Sequence, residues 1–265
     1  MEFRPKVWTS LGLGLAVLGS TSLTACGADT SENTAPVSET LSVTESGETG
    51  EGGEAGERGE SGEGGHANPG ALPRPLRLAF MTGHVEAGLA LYRAGEPGMA
   101  AKHLLHPVSE THAAERAGLD ELGFRAELFE AVSKALDEGL AASEIEPQLQ
   151  AAEANLAGVA EKAGGDPVEI ITFLMNTINE EYAVGVTDGA VTDPGEYQDA
   201  YGFAIVARDR AVAFEGEAGE SVRAEIETLI GLWPGTPPVP TDDPMPLSTI
   251  SAQTSLVLLE LTGVQ

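Results

Sequence analysis

Cysteine occurs once in this 265-residue chain, at Cys26, so no disulfide can form within it. Basic residues are scarce: 14 Lys and Arg stand against 42 Asp and Glu, a net charge of −28. Nucleic-acid binding needs clustered Lys and Arg and is excluded on that count. Docking on anionic lipid through protein charge is excluded for the same reason. Long apolar runs are missing too. The longest near the start, Leu11 to Leu18, is shorter than the roughly 20 residues that a permanent membrane-spanning helix needs. There is no Gly-rich phosphate loop, no His-Glu-x-x-His and no Gly-x-Ser-x-Gly, which removes the common nucleotide, metalloprotease and hydrolase signatures.

What is present divides the chain into three parts. Residues 1–25 read as an export signal, with Arg4 and Lys6 before the apolar run and small residues after it. Residues 26–75 hold almost no large apolar groups, and Gly47 to Gly64 runs as Gly-Glu-x triplets. Proline is absent from that run, so a collagen helix is excluded, and self-repelling Glu between flexible Gly predicts a disordered acidic tether. His66 in the tether reads as a solvated histidine. Residues 76–265 are long enough for one domain with a sizeable core, or two small bundles.

Apolar residues in this last part recur at helical spacing. Leu78, Phe80, Met81, Val85, Leu89 and Tyr92 make a stripe wider than one face, which predicts a helix buried on several sides. Gly95 stops it and Pro97 opens the next, which Pro107 ends or kinks. Further helices are expected over Phe124 to Leu140 and from a Ser143–Glu146 capping box to Lys162. Asp166 and Asp193 are placed as caps of a fifth and a sixth, and Glu220 to Leu232 as a seventh. Ile250 to Leu261 reads as an eighth, although its apolar run also suits a strand. The fold class is all-α, a bundle of seven to eight helices, with a weak internal echo between hairpins about Gly95 and Gly189.

Four of the five histidines fall between residues 81 and 112. Reflection about the first hairpin's turn sets His84 opposite Pro107, within a turn of both His103 and His106, which share a helix face. Glu86, two residues on, points the other way. A turn centred near residues 190–191 makes Glu181 face the stretch from Asp199 to Tyr201. Three imidazoles with carboxylates suit zinc, copper or iron, so the candidate metal ligands are His84, His103, His106, Glu181 and Asp199. Tyr182, Tyr197 and Tyr201 read as core aromatics with satisfied hydroxyls. Arg208 and Arg210 read as partners of acids or as charges that favour the helix C-terminus.

Two resemblances add to this. Leu23-Thr24-Ala25-Cys26 resembles the lipobox of bacterial lipoproteins, which implies that Cys26 begins the mature chain and carries lipid that anchors it to the membrane. Gly27 is not the Asp that signals inner-membrane retention in enterobacterial lipoproteins, which implies the outer membrane. The export signal, helical domain and Gly83-His84 in a first helix resemble imelysin-like envelope proteins, a family linked to uptake of iron or other metals. That family's Gly-x-His-x-x-Glu differs in spacing from Met81-Thr-Gly83-His84-Val-Glu86, so no residue role is carried over. The function expected is a lipid-anchored envelope protein that captures or senses a transition metal. The alternative is a non-catalytic module that presents a groove to an envelope partner. A metal-dependent enzyme, or acid–base catalysis by His84 with Glu181, is the remaining class.

Overall fold

The computed structural model describes residues 71–109 and 116–264. The signal, Cys26, residues 26–70 of the expected tether with His66, and Glu110 and His112 lie outside the described residues, whereas Arg74 and Pro75, placed in the tether, belong to the first helix. Eight α-helices are present among them: α1 Arg74–Arg93, α2 Pro97–Leu105, α3 Ala126–Asp137, α4 Ala142–Ala163, α5 Pro167–Gly185, α6 Pro194–Ala211, α7 Gly216–Ile230 and α8 Leu247–Leu261. The all-α expectation holds, and the run within residues 250–261 is helix. Two-residue strands, β1 Val186–Thr187 and β2 Ala190–Val191, form an antiparallel clasp between α5 and α6. No described helix is long and apolar enough to cross a membrane.

Helix α1 is the shared wall of two hydrophobic cores. Leu76, Ala79 and Phe80 belong to one, with Ile171, Leu174, Ile178, Phe203, Val222 and Ile250 from α5 to α8. Leu78, Met81, Val85, Leu89 and Leu91 belong to the other, with Leu104, Phe129, Val132, Leu149 and Leu156 from α2 to α4. This is why its apolar stripe is wider than one face: neighbours cover it on several sides.

Helix ends follow local chemistry. Gly95, at φ 89°, closes α1, with Gly95 N–H donating to the Tyr92 carbonyl and Glu96 N–H to that of Leu91. This is a Schellman motif, whose left-handed residue glycine adopts without a Cβ penalty. Asp166 and Asp193 cap α5 and α6 as expected, accepting from the N–H of Val168 and Gly195 at 3.0 Å each. The Ser143–Glu146 capping box does not form. Helix α4 begins one residue before Ser143, so that serine lies inside the first turn instead of capping it. Helix α2 tightens at Pro107 into a 3₁₀ turn, His106–Val108, because proline has no N–H to donate to the α-helical ladder.

Candidate metal centre

Close backbone approach puts the polar residues together. A Cβ on Gly202 would strike the backbone carbonyl of Gly83, and one on Gly83 would strike the Phe203 ring. A Cβ on Gly88 would lie 2.8 Å from Leu104 and 3.1 Å from the Cβ of His103. Glycine at these three positions lets α6 and α2 press against α1. His84 on α1, His103 on α2 and Asp199 on α6 thereby meet in the interior, at 4%, 3% and 4% exposure.

Asp199 is the hub. Its Oδ1 lies 2.8 Å from Nδ1 of His84 and 2.9 Å from Nδ1 of His103. The other nitrogen of His103, Nε2, is 2.7 Å from Oε1 of Gln198. Burial by itself would raise the Asp199 carboxyl, but the two imidazoles and their hydrogen bonds outweigh it and hold the group well below the usual carboxylate range. The oxygen is an anion shared by two rings.

His106, also buried, is not among the three donors that converge. Its ring stacks on that of His84, centroids 3.6 Å apart and planes 13° from parallel. Phe80 and Phe203 meet the His84 ring edge-on, at 4.8 and 5.4 Å, so aromatic surfaces fix its orientation. The reflection that set His84 beside Pro107 therefore describes the first hairpin well.

The second hairpin is shifted. Glu181 shares a hydrogen bond with Glu196, one turn before the stretch from Asp199 to Tyr201. The clasp pairs Val186 with Val191 and Thr187 with Ala190, so the turn centres between Asp188 and Gly189. Both take positive φ, 54° and 77°, as a tight two-residue hairpin requires. Reflection about that centre sends Glu181 to Glu196, one turn before Asp199. Both are buried, and burial first of all, then Asp199 and Asp193, pushes the Glu196 carboxyl up to about 7 against the hydrogen bond from Glu181 and the attraction of His84. The two carboxyls sit beside the imidazole group, outside the trio that Asp199 gathers.

Tyr182 donates to the Met245 carbonyl at 2.7 Å, as a core tyrosine should. Tyr197 departs from expectation: its buried hydroxyl has no hydrogen-bond partner among the described residues. Arg208 pairs with Asp209. Glu86 faces away from the centre, as its spacing predicts, and lines two cavities of about 290 and 350 Å³. Gln198 is the site residue that sequence reasoning missed. A neutral amide next to Asp199 carries no chemical signal until its partner across the bundle is known.

One donor each from His84, His103 and Asp199 lie within 4.8 Å of one another. Donors about 2.1 Å from a common ion sit roughly 3.0 Å apart at right angles and roughly 3.4 Å apart at tetrahedral angles. The 2.8 and 2.9 Å separations fall just inside those edges, so a small spreading of side chains admits an ion. The donor set fits a transition metal.

Residues 166–255 match the iron permease-associated 4-helix bundle domain. The match covers about a third of the chain and takes in α5, α6, α7 and the first part of α8. Glu181, Glu196, Gln198 and Asp199 lie within the matched segment, whereas His84, His103 and His106 come from helices before it. No curated protein and no solved structure matches the chain.

Proposed function

We propose that this chain is a lipid-anchored envelope protein whose bundle captures or senses a transition metal ion, iron ahead of zinc and copper. His84, His103 and Asp199 hold the ion, with Glu181 and His106 lining the same interior. Cys26 carries the lipid, at the outer rather than the inner membrane, and the acidic tether holds the bundle off the surface. One observation carries the metal reading: three buried donors from three helices, far apart in sequence, converge within 4.8 Å. Bringing two imidazoles and a carboxylate into a bundle interior costs solvation that apolar packing would not, so a ligand is the economical reason for them. The iron permease-associated segment that supplies Asp199 favours iron, and a permease is then the natural recipient of the captured ion.

The test is metal content of the full-length chain, extracted in mild detergent and incubated with iron, zinc and copper salts. Close to one ion per chain is expected by mass spectrometry, lost in the double variant His84→Ala/His103→Ala. A wild-type chain that retains none of the three overturns the metal reading and leaves the interaction module. Labelled palmitate should enter the wild type and not Cys26→Ser; equal labelling would remove the anchor.

A further inference from the structure

Gln198 and Asp199 are neighbours on α6, yet both reach the His103 ring, one at each nitrogen. Oε1 of Gln198 lies 2.7 Å from Nε2, and Oδ1 of Asp199 lies 2.9 Å from Nδ1. The far end of the Gln198 amide is also engaged. Its Nε2 donates to Sδ of Met99 at 3.3 Å. Met99 and His103 are four residues apart on α2 and share a face, so one helix presents both partners of one amide.

The thioether decides which way the amide points. Sulfur in methionine has lone pairs and no hydrogen, so it can only accept, and the amide nitrogen must face it. The amide oxygen then faces His103. Since that oxygen can only accept, Nε2 of His103 must carry the hydrogen between them. Nδ1 donates its own hydrogen to the Asp199 carboxylate; that hydrogen, and not the one Gln198 holds, is the one an ion replaces, so the lone pair that binds stands at Nδ1, beside Asp199 and the Nδ1 of His84. Gln198 is only 3% exposed, so water does not compete for either end of its amide.

We propose that Gln198, itself oriented by Met99, is a positioning residue that aims Nδ1 of His103 at the metal. It touches no ion. It sets the tautomer and rotation of a ligand, as the outer partners of ligating histidines do. The inference rests on the metal-binding reading above and adds to it which atom of His103 binds and what holds it.

Zinc is the probe, being diamagnetic. The full-length chain in mild detergent is titrated with zinc against a competing chelator, as wild type, Gln198→Leu, Gln198→Glu and Met99→Leu. Nitrogen-15 spectra of the imidazoles are recorded for the zinc-loaded wild type. Gln198→Leu should lose about 10- to 100-fold in affinity, and Gln198→Glu, which still accepts from Nε2–H, should stay within about threefold of wild type. Met99→Leu, which frees the amide to turn, should fall between them. The spectra should show His103 bound through Nδ1 with its hydrogen on Nε2. Wild-type affinity in Gln198→Leu, or binding through Nε2, overturns the role of Gln198 while leaving the metal site standing. A wild type that takes up none of zinc, iron and copper overturns both; one that takes up iron or copper but not zinc is titrated with that ion against the same variants, with the same expected order of affinities. If Gln198→Leu does not fold, the glutamate variant and the wild-type spectra decide.

Discussion

Gly202 of α6 lies so close to the carbonyl of Gly83 in α1 that a Cβ has no room between them. His84 follows Gly83 and Asp199 precedes Gly202 by one helical turn, so this single backbone contact sets how near the imidazole comes to its carboxylate. A Gly202→Ala variant must push the two helices apart. Overpacking of this kind costs about 1–3 kcal/mol, more where the obstacle is backbone. Denaturant unfolding should show that loss, and metal affinity should fall with it. Wild-type values for both would mean that the helices are not held at this crossing.

Asp199 is shared by two rings, so its charge is the centre's common element. An ion bound to the native chain alone should stabilise it by about 2.7 kcal/mol at a hundredfold excess over Kd. Asp199→Asn keeps the shape and removes the anion, and its melting temperature should not respond to added metal. A full metal-dependent shift in that variant would move the ion elsewhere.

The stacked ring of His106 separates a ligand from a packing partner. Phenylalanine keeps the flat surface against His84 and Phe80 and offers no nitrogen. Isosteric swaps in a core cost under about 1.5 kcal/mol, so His106→Phe should fold and hold metal within about threefold of wild type. A tenfold loss or more, read by chelator competition, would make His106 a ligand.

Glu86 gives a pH signature on the far side of α1. Burial, then Asp209 and Glu153, raises its carboxyl from 4.5 to about 7 against the pull of Arg93 and Arg208. Across that window the folded chain binds more protons than the unfolded one, so the contribution of this group to stability falls as pH rises and stays reduced above it. Glu86→Gln removes the penalty. It should be more stable than wild type at pH 8 by about 1–3 kcal/mol and equal to it below pH 4.5. Paired denaturant titrations at pH 8 and pH 4 check this; an equal difference at both would dismiss the linkage.

The sequence by itself determined what depends on neighbours along the chain. Helical spacing marked every main helix, because an amphipathic or buried helix repeats its apolar residues at a fixed period. Gly95, Asp166 and Asp193 marked ends because a positive φ and unsatisfied N–H groups demand particular residues. The facing of His84 and the His106–Pro107 stretch was legible too, since reflection about a tight turn needs only the position of that turn. The tertiary structure decided the rest. The two-residue clasp moved the second turn's centre by about two residues, enough to pair Glu181 with Glu196. The crossing of α1 and α6 at two glycines gathered His84, His103 and Asp199 and turned His106 aside into a stack. It also gave Gln198 its partner across 95 residues of chain. Such contacts join helices whose spacing is set by side-chain volume at the crossing, and no periodicity along one helix carries that information.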